Sequence, residues 1–198
     1  MKAILFDLDG VLVDACDWHY HSLNDALKKY VNWQIDYELH LKKFNGLPTS
    51  KKLDLIGDIT KDQKEKIWEY KQERTIENIE KFGDKDNYKI RMLSKLKEEG
   101  YLIGCVTNSI KKTSTKMLKI TGQYKFIDVL VTNEDVEKNK PYPDCYFLAM
   151  NLLNISPNEC LIVEDSPKGI ESARQTNALI LEVKDSYDVT YDKIQRLL

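Results

Sequence analysis

A chain of 198 residues, 42% of them hydrophobic, suits one large domain or a core that carries a smaller inserted one. A formal net charge of -2 argues against whole-molecule attraction to nucleic acid or to an anionic membrane. No apolar run approaches membrane-spanning length. Cys16, Cys105, Cys145 and Cys160 have neither zinc nor redox spacing. The chain opens on a strand-like run instead of a signal-peptide layout, so a reduced, cytoplasmic protein is expected.

The first element is Ala3-Ile4-Leu5-Phe6, long enough for one buried strand and too short for a core helix. Asp7-Leu8-Asp9-Gly10 follows at its carboxyl end. Asp and Gly are ordinary turn residues, but buried carboxylates are costly unless a metal or a partner compensates them. Two of them one residue apart at a strand tip can serve one site, and Gly10 permits backbone that a Cβ would exclude.

After Asp14 the period becomes helical, with Trp18, Leu23, Leu27, Tyr30 and Val31 on one side. A turn-rich stretch, Phe44 to Ser50, precedes Thr60-Lys61-Asp62-Gln63, which has the form of a helix-start capping box. A long charged helix with Ile67, Tyr70, Ile76, Ile79 and Phe82 on one side then runs to Gly83. The span 15–88 is thus helical and strand-poor, and reads as an insertion into a core made of 1–14 and 89–198.

Strand patterns return afterwards. Ile90, Leu93 and Leu96 mark a helix ended by Gly100. Tyr101–Val106, Phe126–Val131, Cys160–Val163 and Ala178–Val183 are apolar runs, and the first three end in Thr107-Asn108-Ser109, Thr132-Asn133-Glu134-Asp135 and Glu164-Asp165-Ser166. Strands alternating with helices, each strand nearly continuous in apolar residues, predict an α/β fold: a Rossmann-like parallel sheet covered on both faces. Ligands in such sheets bind beyond the carboxyl ends of the strands. Polar decoration of that one end is more than turn chemistry requires.

Four pieces stand in order: Asp7-Leu8-Asp9-Gly10, Val106-Thr107-Asn108-Ser109, Lys138-Asn139-Lys140-Pro141-Tyr142-Pro143-Asp144, and Val163-Glu164-Asp165-Ser166-Pro167-Lys168-Gly169-Ile170. Together they resemble the haloacid dehalogenase-like (HAD) superfamily, in the branch with a helical cap inserted after the first strand, and are similar to β-phosphoglucomutase and related phosphatases. Each motif alone is weak; the ordered set covers the chain and is specific.

The resemblance implies a magnesium-dependent phosphatase that hydrolyses a small phosphorylated metabolite through an aspartyl-phosphate. Asp7 would be the nucleophile and Asp9 the general acid and then base. Magnesium would be held by Asp7, the Asp9 main-chain carbonyl and Asp165, with Glu164 either binding the ion directly or supporting the groups that do. Thr107 would bond the phosphoryl group, helped by Asn108 and Ser109, and Lys140 would neutralise the nucleophile and a phosphate oxygen. Taken alone, Thr107-Asn108-Ser109 reads as helix capping and Ser166-Pro167 as an N-cap with a first-turn proline.

In the expected cap, His19 has the spacing of the hinge histidine of β-phosphoglucomutase, and Gly46-Leu47-Pro48-Thr49-Ser50-Lys51 resembles the cap loop that faces substrate there. His19, Gly46 and Lys51 are therefore candidate substrate contacts. Thr49 stands where the mutase has a phosphate-binding Arg. Lys51 and Lys52 are expected to be flexible point charges that would hold a bisphosphate poorly, so a phosphatase is favoured over the alternative, a sugar phosphate mutase. Asp9 argues against a dehalogenase and a phosphonatase, and competent residues at every motif argue against a silent binding protein. A monomer is expected, with a dimer as the alternative; no nucleic-acid or membrane partner is.

Overall fold

The computed structural model describes the whole chain, Met1–Leu198, which divides into two compact units, Met1–Asp14 with Asp84–Leu198, and Ala15–Gly83. No helix is long and apolar enough to cross a membrane. The return to the first unit comes at Asp84, ahead of the boundary expected after 88. Asp86 explains this: its N–H donates to the Thr121 carbonyl at 3.1 Å and its side chain caps the next helix through the Lys89 N–H.

The first unit is a parallel five-stranded sheet: β1 (Ala3–Phe6), β2 (Leu102–Val106), β3 (Val129–Val131), β4 (Cys160–Glu164) and β5 (Leu179–Glu182), in the order β3-β2-β1-β4-β5. All four residues of β1 are fully buried, as the unbroken apolar run requires of a central strand. Each large side chain buried here contributes roughly 1.5–3 kcal/mol by removal from water. The chain builds outward from β1 to β2 and β3 on one side, then returns to place β4 and β5 on the other. The point where that order reverses lies between β1 and β4, and a ligand crevice is expected there.

β3 is shorter than the predicted run Phe126–Val131. Tyr124–Phe126 forms a 3-10 turn instead, and Asp128 ends the ladder: its N–H donates to the Ile103 carbonyl, and its own carboxylate accepts from the Ile103 N–H at 2.7 Å. A side chain thus replaces the main-chain partner that a longer strand would have supplied.

The second unit contains α1 (Cys16–Val31), α2 (Tyr37–Leu39, continuing as a π-helical turn His40–Phe44), α3 (Thr49–Ile56) and α4 (Lys61–Phe82). Its apolar cluster joins Leu23, Ala26, Leu27, Ile35, Phe44, Leu53 and Ile67. The Thr60–Gln63 capping box starts α4 as predicted. The buried face of α4 is less apolar than its spacing suggests. Phe82 is exposed, whereas Lys71, Gln72, Thr75 and Asn78 are buried. Asn78 donates to Ser22 Oγ of α1 at 2.9 Å, and Lys71 Nζ lies 3.1 Å from His19 Nδ1.

The remaining helices belong to the first unit: α5 (Asn87–Glu98), α6 (Lys111–Ile120), α7 (Asp144–Leu152), α8 (Pro167–Arg174) and α9 (Tyr191–Gln195).

Candidate active site

The four sequence motifs converge at the carboxyl ends of β1, β2 and β4. Asp7 follows β1 directly, and its N–H continues the ladder to the Val163 carbonyl at 3.0 Å. The chain then folds tightly around the Leu8 carbonyl, which accepts N–H bonds from Val11, Leu12 and Val13. Gly10 has φ +91°, and a Cβ there would lie 2.2 Å from Asp165 Oδ2. This glycine is needed both for its backbone angle and for the close approach of the β4 loop.

Lys140 is the central cation. Its Nζ donates to Asp7 Oδ1 at 2.7 Å, Glu164 Oε1 at 2.5 Å and the Val106 carbonyl at 2.8 Å. Asn108 fixes the main chain of Lys140 from both sides, accepting from its N–H at 3.1 Å and donating to its carbonyl at 3.2 Å. Asp9 accepts from Ser109 Oγ at 2.7 Å and, at a longer 3.3 Å, from Thr107 Oγ1. The hydroxyls expected to face a phosphoryl group therefore engage Asp9 in this arrangement.

Glu164 is fully buried, and both of its oxygens are engaged. Oε1 accepts from Lys140 and from the Tyr146 hydroxyl at 2.7 Å; Oε2 accepts from the main chain and hydroxyl of the Asp165-Ser166 turn. Ser166 caps α8 through the Gly169 N–H, with Pro167 in the first turn as predicted. A Cβ on Gly169 would sit 1.9 Å from Glu164 Oε1. Gly169→Ala is thus expected to destabilise the protein by about 1–3 kcal/mol through overpacking and to lower turnover as Glu164 shifts against Lys140. Denaturant unfolding and steady-state rates check this; wild-type values in both would show that Glu164 moves aside freely.

Ligand oxygens of Asp7, Glu164 and Asp165 lie within 4.8 Å of one another. Asp165 Oδ1 is buried without a hydrogen-bond partner. Burial, then the Glu164 charge, pushes the Asp165 carboxyl up to about 7. Burial also drives Asp7 well above the usual carboxylate range, with Lys140 opposing and Glu164, Asp165 and Asp9 reinforcing. Burial disfavours the Lys140 ammonium, but Asp7 and Glu164 outweigh it and hold it charged. One ammonium, that of Lys140, faces the carboxyls of Asp7, Glu164 and Asp165, so an added cation would favour their charged forms. An all-oxygen donor set with one orphaned carboxylate oxygen suits a hard divalent cation.

The cap candidates lie in the second unit. His19 is buried beside Lys71, and Gly46 has φ +73° in the loop before α3. Lys51 is exposed, but the expectation that both lysines are flexible fails for its neighbour: Lys52 is only 4% exposed. The helix begins at Thr49, so Lys52 and Leu53 fall on the inward face of α3. Arg74, the one arginine of this unit, is held by Asp25 and Glu77.

Sequence reasoning also missed Tyr146 and the steric role of Gly169. Tyr146 sits six residues after Lys140, in a stretch that reads only as a helical core segment. Gly169 was visible within its motif, but its closeness to Glu164 is tertiary.

The sequence profile described as haloacid dehalogenase-like hydrolase matches residues 4–183. A protein of Caldanaerobacter subterraneus subsp. tengcongensis named for the pyrophosphatase PpaX is 34% identical over 190 residues, covering 93% of this chain and 82% of that protein. Pyrophosphatase PpaX of Bacillus cereus (strain B4264) is 30% identical over 174 residues, covering 84% and 75%. Among solved structures, β-phosphoglucomutase from Clostridium difficile aligns with TM-score 0.85 at 22% identity over 99% of this chain and 96% of that one. CbbY from Rhodobacter sphaeroides in complex with phosphate aligns with TM-score 0.83 at 21% identity over 92% and 86%. These two likenesses are of fold. With the profile match and the PpaX relatives beside the converged motifs, the chain belongs to the haloacid dehalogenase-like hydrolases.

Proposed function

We propose that this protein is a magnesium-dependent phosphatase that hydrolyses a small phosphorylated metabolite by way of an aspartyl-phosphate on Asp7. The observation that carries the reading is Lys140 bridging Asp7 and Glu164 beside Asp165 at the carboxyl ends of β1 and β4. Asp7 attacks phosphorus in line, and Lys140 offsets the repulsion between that carboxylate and the incoming anion. Asp9, oriented by Ser109, gives its proton to the leaving oxygen and later takes one from the water that releases phosphate. Asp7, the Asp9 main-chain carbonyl and Asp165 would hold the ion, with Glu164 supporting from behind. When bound, magnesium supplies charge neutralisation and orientation of the phosphate. Absence of hydrolysis of an aryl phosphate in the presence of magnesium would overturn the assignment.

Water as the phosphoryl acceptor, in preference to a sugar hydroxyl, is supported by Thr49, instead of an arginine, at the start of α3 and by the engagement of Arg74 with Asp25 and Glu77. Incubation with a hexose 1-phosphate and a trace of bisphosphate should release inorganic phosphate ahead of any isomerised sugar. The reduced thiols, three of them buried, suit a cytoplasmic setting.

A second reading is that the preferred substrate carries a second anionic group as in a diphosphate, and the second unit, taken by itself, holds a buried cationic cluster suited to an anion. His40 is fully buried with neither ring nitrogen hydrogen-bonded. Burial, then Lys52, His19 and Lys71, lowers its pKa to about 3. Two buried lysines and two histidines gathered in one place form a setting that an oxyanion would stabilise. The names of the PpaX relatives point the same way. Lys52→Gln is expected to lower kcat/KM for pyrophosphate about tenfold, equivalent to one charged contact, while changing that for phenyl phosphate less than about twofold. Equal losses on both substrates would count against a second anionic group.

A further inference from the structure

Tyr146 has no part in the mechanism outlined above, yet its hydroxyl reaches into the centre of the site. The side chain is fully buried in α7, in a cluster with Leu5, Val106, Cys145 and Ala149. For packing alone, Phe would fill this place without adding a buried hydroxyl that must find a partner. The hydroxyl donates to Glu164 Oε1 at 2.7 Å, and the ring centroid lies 4.9 Å from Lys140 Nζ. Burial and the negative Glu164 keep the phenol protonated, and so a donor.

The geometry around Lys140 gives this contact a consequence. The three ammonium protons have three acceptors, and two of these are carboxylates competing for one cation, Asp7 at 2.7 Å and Glu164 at 2.5 Å. Glu164 Oε1 has two donors, Lys140 and Tyr146. Removing the Tyr146 donor would leave Lys140 as the only donor to that oxygen and draw the ammonium toward Glu164. Asp7 would then face an incoming phosphate with less of its charge offset.

We propose that Tyr146 is a positioning residue whose hydroxyl, by satisfying Glu164, keeps the Lys140 ammonium on Asp7. The inference rests on the reading of Asp7 as the attacking carboxylate, and it adds a residue outside the matched motif roles. It accounts for a tyrosine at a position where the apolar packing of α7 asks only for a ring.

The test uses the full chain with Tyr146→Phe, which removes one oxygen and keeps the ring beside Lys140. Single-turnover phosphorylation from an aryl phosphate should slow about tenfold, as for loss of a hydrogen bond to a charged group, with KM within about twofold of wild type. In the background of Glu164→Gln, the same change should alter the rate less than about twofold, because the hydroxyl acts through Glu164. Placing 4-aminophenylalanine at 146, which restores a donor, should recover most of the rate. A wild-type rate for Tyr146→Phe, or full multiplication of the two effects, would overturn the proposal. A crystal structure of Tyr146→Phe provides a readout independent of the chemistry: the Lys140–Asp7 contact should lengthen while the Lys140–Glu164 contact persists. Unchanged contacts would refute the positioning role even if Asp7 attacks. Absence of phosphate on Asp7 of the wild type would instead refute the proposed mechanism, and the crystallographic contacts would still decide the role of Tyr146.

Discussion

Asp7→Asn is expected to abolish turnover, by on the order of a thousandfold or more, while leaving the fold intact. Asn keeps the volume of the side chain but cannot become a phosphorylated carboxylate. The fold should survive because Lys140 retains Glu164 and the Val106 carbonyl as partners, and because burial already disfavours the Asp7 charge. Replacing a carboxyl whose charge burial disfavours costs little stability, so the melting temperature should stay within a few degrees. Asp9→Asn should behave differently. It keeps the nucleophile, so an activated aryl phosphate, whose leaving group needs no proton, should still label Asp7. The label should then persist, since Asp9 is needed to activate water. Mass analysis of acid-quenched enzyme distinguishes the two variants. Small and equal losses in both would remove Asp7 and Asp9 from these roles.

The motifs were legible in the sequence because each is a local departure from a local pattern: an apolar strand that ends in acids, amides or hydroxyls. That the sheet is parallel also followed, since β1 and β4 read as unbroken apolar runs. What the sequence concealed depends on distance across the fold. The choice between Lys51 and Lys52 is one helical step. It turns on α3 starting at Thr49, which a loop-like run from Phe44 to Ser50 does not reveal. The buried polar face of α4 hides in a helix whose composition is charged throughout, so Lys71 and Asn78 look like solvated surface until α1 is placed against them. Asp128 ends β3 with a side-chain hydrogen bond, which periodicity cannot register. Tyr146 shows the same limit inside the site. Its apolar surroundings are readable from the sequence, but its hydroxyl partner is supplied by a strand many residues later.

Asp165→Ala is expected to raise the magnesium required for activity by more than about tenfold, as for changes at metal ligands and their supports. The same substitution should affect stability in the opposite sense when the metal is removed. In chelator above about pH 7, Asp165 brings a buried negative charge with an unpartnered Oδ1 next to Glu164. Its folded-state pKa lies above the ordinary value of 3.8, at about 7. The resulting penalty is absent at low pH, grows as pH rises through that interval and is complete above it. Alanine removes the penalty, so metal-free Asp165→Ala should melt higher than metal-free wild type at pH 8, with the difference shrinking toward pH 4. Magnesium should reverse the order. An ion that binds only the folded state adds RT ln(1 + [L]/Kd), about 2.7 kcal/mol at a hundredfold excess over Kd, and the wild type alone should gain it in full. Calcium should also raise the wild-type melting temperature yet inhibit turnover, because it takes more ligands at longer distances and would displace Asp7 from its line of attack. Paired melting curves in chelator, magnesium and calcium, read beside activity, separate a site that binds a cation from one that uses it. Full activity in chelator would remove the metal from the mechanism, and identical melting shifts in wild type and Asp165→Ala would place the ion elsewhere.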